Sequence, residues 1–412
     1  MDAGPRALPL RDARSSITDE ADDALGYSFA KFGARYPSAG GLLEYVVRAF
    51  GNGHVTGVVA WLLLATNAII TAMVAVSFGS YASAAFADGG ATWTKIFAVL
   101  VVVVMASLNV LGSQAVAGAQ TIVVFVVVGI LTIFAVATLS NLDTSLLAFS
   151  GYTSLRDVVS SVAMTFFAFL GFGVITDTAN DLANPARQLP RAVYLALGIA
   201  TVVYIAVALG VFGTLTVDEV VDSGGTALAV AAQPVLGDAG YWLMSVTALF
   251  ATAGATNSGL YPAAGLCEHM ASAGQFPPVL GRRFGNRAPA GILLTAAVAI
   301  VLSVGFSLTA IASIGSAVAL IVFALVSAGH LRVRGETGAS AVLLVLAVAS
   351  AVIVLVTFAL TTLVEEPGTA IALVVILLMG LGLDLGWKRR RATADGTAGG
   401  EPGLPTTGAG MS

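Results

Sequence analysis

Residues 164–191 read MTFFAFLGFGVITDTANDLANPARQLPR. An aromatic-rich apolar stretch runs into Gly171-Phe172-Gly173, then into a polar loop carrying Pro185, Arg187, Pro190 and Arg191. Glycine inside an apolar helix permits unwinding. Unwound backbone at membrane depth is tolerated only where protein or a polar cavity receives its freed N–H and C=O groups. The half-helix before such a break ends in free carbonyls with partial negative charge, and the one after it begins with free N–H groups and partial positive charge. A zwitterion such as an amino acid matches that pair of ends. Close helix packing explains the two glycines, taken alone, equally well.

The rest of the chain says that the depth is a bilayer's. Of 412 residues, 57% are hydrophobic and only 10% charged, against about 25% charged in soluble domains. Mean hydropathy is +0.92. Apolar runs long enough to cross a membrane fall at 55–86, 95–113, 117–138, 157–180, 191–214, 239–267, 289–305, 308–331, 340–363 and 369–387. The run from 290 to 330 is too long for one crossing and divides near Gly305-Phe306-Ser307. None of the runs alternates polar and apolar at period two, which excludes a β-barrel. Residues 1–23 are polar, read as disordered and carry no secretory signal. Residues 24–53 are too polar to span. The membrane domain covers 54–387, and 388–412 form a basic, then Gly/Pro/Thr-rich tail.

Charge sets the orientation. Arg187, Arg191, Arg282, Arg283, Arg287, Arg332, Arg334 and the run from Lys388 to Arg391 fall on one side of this layout. The other side holds Lys95 and Arg156 with Asp218, Glu219, Asp222, Asp238, Glu365 and Glu366. The basic side is therefore cytoplasmic, with both termini on it, in a multi-pass protein of the plasma membrane. Its basic clusters adjoin spans, so nucleic-acid binding is not indicated.

Enzyme chemistry finds no constellation. The single cysteine, Cys267, has no partner for a disulfide, and His54, His269 and His330 lack metal-ligand spacing. No Gly-rich phosphate loop follows a strand. No catalytic residue, metal or cofactor is expected. Asp177, Glu268, His269, His330 and Asp384 lie toward cytoplasmic span ends, where snorkelling accounts for them. Of these, only Asp177 is weighed as a functional group. Pro190 suits the first turn of a helix beginning near 191.

Three ordered stretches carry a resemblance. The first is Phe166, Phe167, Phe169, Gly171 and Phe172, followed by Asp181, Asn184, Pro185, Arg187, Pro190 and Arg191. The second is Gly33-Ala34-Arg35-Tyr36-Pro37-Ser38-Ala39-Gly40-Gly41 with Tyr45 and Gly51 beyond it. The third is Met270-Ala271, Gly274, Pro277, Arg283 and Pro289. In these the chain resembles the amino acid–polyamine–organocation permeases, over roughly 24–387.

The resemblance implies an all-α membrane protein with about ten transmembrane helices in a leucine-transporter-like bundle of two inverted five-helix repeats. It implies transport of an amino acid or related amine by alternating access around a midplane site. The broken sixth helix would be 157–180, with carbonyls near Ala168 to Gly171 accepting from the substrate ammonium. The implied substrate contacts are Phe167, Ala168, Phe169, Leu170, Gly171, Phe172, Gly173, Asn257 and Ser258. For Asn257 and Ser258, interhelical hydrogen bonding is an equal alternative, and for Asn67 and Thr71 it is the favoured one. Asp181, Asn184, Pro185, Arg187, Pro190 and Arg191 would form the family's cytoplasmic loop.

Two departures stand beside it. Some proton-coupled relatives place a lysine midway along the fifth helix; here 117–138 contains none, with Gln120, Thr121, Thr132 and Thr138 as its polar side chains. The coupling ion, proton or sodium, is unassigned, as is the oligomeric state. The family's first helix and most of its second have no counterpart, so the bundle reads as N-terminally truncated, with 24–53 the remnant of the second helix and its loop. The competing expectation is a non-transporting remnant, or a scaffold or sensor subunit of the same fold.

Overall fold

The computed structural model describes residues 27–29, 31–36, 41–111, 114–147, 167–169, 171, 175, 182–282, 289–365 and 367–398. Within them lies no strand, and the α-helices are α1 Gly41–Phe50, α2 His54–Phe86, α3 Ala91–Leu111, α4 Gln114–Ser140, α5 Pro185–Phe212, α6 Val217–Ser223, α7 Ala227–Ser272, α8 Pro289–Gly305, α9 Leu308–Thr337, α10 Ala341–Glu365 and α11 Pro367–Ala398, with further helical residues at 27–29 and 31–35. Most of the expected span 157–180 lies outside the described residues. So do Arg156, Leu170, Phe172, Gly173, Asp177, Asp181, Arg283 and Arg287, together with 1–23 and 399–412.

Seven of the described helices are long and apolar enough to cross a membrane: α2, α3, α4, α5, α9, α10 and α11. Helix α8 is shorter, and α7 is diluted by Thr252, Thr256, Asn257 and Ser258. Two of the seven form the core. Of their most apolar stretches, 56% is buried in α2 and 67% in α9, against 11–22% in the others. Helix α2 touches α1, α3, α7, α8, α9 and α11. The outer helices turn residues such as Phe125, Val202, Ile353 and Leu378 outward. Lipid tails are as apolar as these side chains, so the exposure is not costly.

Local chemistry explains several boundaries. The division expected at Gly305-Phe306-Ser307 is where α8 ends and α9 begins, with Ser307 Oγ accepting from the Ala310 amide. Helix α9 closes on Gly338 at φ 64, a left-handed turn that glycine makes without penalty. Thr216 and Glu219 form a reciprocal capping box on α6, and the Thr216 amide and hydroxyl hold the exposed Glu219 carboxyl below its ordinary range.

The structure moves four boundaries or roles. Helix α5 starts at Pro185, not near 191, so Pro185 takes the first helical position and Pro190 sits inside the helix. Pro190 there forgoes the bond to the residue-186 carbonyl. The expected span 239–267 belongs to α7, which starts at Ala227, breaks at Gly237 (φ 66) and runs to Ser272. Residues 388–398, read as tail, continue α11.

The fourth correction concerns snorkelling. His330 and Asp384 are fully buried. Residues 27–29 and 31–36 cover the end of α9: Ser28 Oγ lies 2.9 Å from His330 Nδ1, Thr337 Oγ1 lies 2.8 Å from Nε2, and the Phe32 ring centroid lies 3.9 Å from the imidazole. Phe32 also stacks on Tyr45, and Tyr36 donates to Glu336. Asp384 Oδ2 meets His54 Nδ1 at 2.6 Å. Lys388 Nζ lies 2.8 Å from Oδ1, at an angle outside hydrogen-bonding range, and donates to the Gly53 carbonyl. His269 stays at the rim, 3.9 Å from Glu44.

Candidate functional site

The interrupted stretch is described at Phe167–Phe169, Gly171 and Ile175. Phe167–Phe169 is a 3-10 turn that packs against α9, and Ile175 joins the core around α2 and α9. A 3-10 turn inside a membrane span changes the carbonyl partners of its neighbourhood. Here the Ala168 carbonyl accepts from the Tyr204 hydroxyl of α5 at 2.9 Å. The Tyr204 ring stands edge-on to Phe169, with centroids 5.2 Å apart and planes at 72°. Gly171 is exposed, and a Cβ built on it would meet no described residue within 4 Å. Sequence reading missed Tyr204, because its partner lies 36 positions away.

Past the break, Asn184 caps α5 through its backbone: its carbonyl accepts from the Arg187 and Gln188 amides, and its amide donates to Gln188 Oε1 at 2.9 Å. Arg187 and Arg191 are exposed, whereas Leu189 is fully buried. A Cβ on Gly33 would lie 2.2 Å from Leu189 Cδ2 and 2.9 Å from the Tyr45 hydroxyl, so this loop end is pressed against the segment leading to α1.

Asn257 and Ser258 lie side by side on α7, and each holds a different helix. Asn109 Nδ2 of α3 donates to Asn257 Oδ1 at 2.6 Å. Gln120 Nε2 of α4 donates to Ser258 Oγ at 2.7 Å and to the Gly254 carbonyl at 3.1 Å. These bonds supply the interhelical pairing that stood as the alternative for both residues. Thr71 donates to the Asn67 carbonyl within α2 and packs on Gly259 of α7; this bond is intrahelical, unlike the interhelical one expected of that pair. Asn109 carried a legible signal: an asparagine in the apolar run of α3 is costly to bury unless bonded. Asn109→Leu is expected to lower stability by about 1 kcal/mol. Adding Asn257→Leu should cost less than its own single loss, because the bond is already gone. Thermal melting in detergent reads both; simple additivity would refute the pairing.

Seven described helices long and apolar enough to cross a membrane define a multi-pass membrane protein. The chain belongs to the amino acid permease family, whose model matches residues 24–379. It is similar to the inner membrane transport protein YbaT of Escherichia coli, at 29% identity over 89% of this chain and 86% of that one. An uncharacterized protein of Methanocaldococcus jannaschii is 30% identical over 76% of this chain and 73% of its own. The serine/threonine exchanger SteT of Bacillus subtilis is 25% identical over 56% and 53%. The chain is thus a transporter and a permease, not an enzyme.

Proposed function

We propose that the chain moves an amino acid or related amine across the plasma membrane by alternating access, one group of helices rocking against the rest around a fixed site. The observation that carries this reading is the Ala168 carbonyl, presented from a 3-10 turn beside the exposed Gly171. An ammonium group brings N–H donors and positive charge, which such a carbonyl accepts. The substrate class is supported by the relative named a serine/threonine exchanger and by a mouse b(0,+)-type amino acid transporter, 26% identical over 57% of this chain. Phe167, Ala168, Phe169, Leu170, Gly171, Phe172, Gly173, Asn257 and Ser258 are the proposed contacts. Asn257 and Ser258 would reach the solute from the positions that Asn109 and Gln120 fix. Arg187, Arg191, Arg282, Arg332 and Arg334 mark the cytoplasmic side by the charge rule, with both termini there.

Reconstituted vesicles test this. Purified chain is expected to give saturable uptake of a labelled amino acid, abolished by excess unlabelled compound. Proton and sodium gradients imposed separately identify the coupling ion. Absence of uptake of every common amino acid, under either gradient and in counterflow, would overturn the reading. No observation favours the non-transporting alternative.

A further inference from the structure

Tyr204 joins the interrupted stretch from another helix and touches it twice in succession. Its hydroxyl donates to the Ala168 carbonyl at 2.9 Å, and its ring meets the next side chain, Phe169, edge-on at 5.2 Å. The tyrosine is about 42% exposed, so it is not filling the core. We propose that Tyr204 is a positioning residue for the substrate ammonium, fixing the direction of the Ala168 carbonyl. The proposal rests on the reading that this carbonyl receives the ammonium.

The chemistry is that of a shared acceptor. A carbonyl oxygen has two lone pairs, and the tyrosine hydroxyl takes one. The second stays available. The Phe169 contact keeps the tyrosine ring from swinging, so the hydroxyl stays on its side of the oxygen. A carbonyl aimed before binding loses less freedom when a donor arrives. A donor on one lone pair also narrows the approach to the other, which favours a compact primary ammonium over an N-alkylated one. Tyr204 therefore acts on affinity and amine selectivity. A tyrosine that merely satisfied a stray carbonyl would act on stability and maximal rate instead.

Uptake in vesicles by the full chain separates these roles, with labelled L-amino acids and their N-methyl counterparts as probes. Tyr204→Phe keeps the ring against Phe169 and removes only the hydroxyl. The loss of one oriented hydrogen bond is expected to raise KM about three- to ten-fold. Maximal rate and melting temperature should hold, and discrimination against the N-methyl analogue should fall. Tyr204→Leu, which loses ring and hydroxyl, should show the same KM increase with a lower melting temperature. Wild type active with KM and selectivity unchanged in Tyr204→Phe would overturn this inference alone. A fall in maximal rate without a change in KM would also overturn it. Wild type that transports none of the probes would overturn the reading beneath it.

Discussion

Gly79→Val is expected to separate α2 from α3 and to lower the melting temperature in detergent by several degrees. A Cβ at Gly79 would lie 2.1 Å from the Thr94 carbonyl oxygen, 3.0 Å from its carbon and 3.2 Å from the Ala98 nitrogen. All three atoms are backbone of α3, so no side chain can swing away to relieve the clash. The helices must move apart. The tight seam then opens between Ala75 of α2 and Ala98, Val101 and Val102 of α3, all buried at 8% exposure or less. Overpacking of this kind costs about 1–3 kcal/mol, and a β-branched side chain against unyielding backbone belongs at the upper end. Gly129→Ala is the control. It lies on the exposed face of α4, and a Cβ there meets nothing within 4 Å. Helix propensity alone makes that change neutral or favourable by up to about 1 kcal/mol. If Gly79→Val melts no lower than Gly129→Ala, α2 and α3 are not packed as described.

That contrast shows what the sequence could and could not reveal. Both glycines sit in long apolar runs, and hydropathy treats them alike. Hydropathy locates spans because the bilayer demands length and apolarity, and it located most of them here. It also found the α8–α9 division, because glycine followed two residues later by serine joins a helix end to a strong N-cap. It chose the wrong proline for α5, because either Pro185 or Pro190 satisfies a first turn in isolation. The choice falls to Pro185 once Leu189 is seen wedged onto Gly33, a residue about 150 positions earlier. Snorkelling failed for His330 for a related reason. It assumes that a span end meets water, but Phe29 and Phe32 roof that end of α9. Candidate-site residues were legible where backbone composition is special, as at Gly171. They were hidden where a distant side chain completes the geometry, as with Tyr204, Asn109 and Gln120.

The largest electrostatic effect is expected at Asp384. Its carboxylate is wholly buried between α2 and α11, close enough that a Cβ on Gly57 would lie 1.8 Å from Oδ1. Two groups compensate it: His54 Nδ1 at 2.6 Å and Lys388 Nζ at 2.8 Å. Lys388→Met removes the permanent charge beside a desolvated carboxylate and leaves only the His54 contact. Removing one partner of a buried pair costs about 3–5 kcal/mol, and the retained His54 places the loss near about 3 kcal/mol. Lys388 also releases the Gly53 carbonyl at the start of α2. The end of α11 stays attached through Trp387 and Arg391, which both donate to the Gly274 carbonyl, so the loss reports the charge and not undocking of the helix. Asp384→Asn in the same chain removes the anion with almost no change of shape. The double variant should therefore recover most of the stability, with a coupling of about 2 kcal/mol between the two sites. Molar salt should leave that coupling largely intact, since a buried pair is poorly screened. The exposed i,i+4 pair of Glu44 and Arg48 should lose its small coupling under the same conditions. Additive losses at positions 384 and 388, or a coupling erased by salt, would mean that Asp384 is hydrated and that the spans around it are less tightly closed than the structure shows.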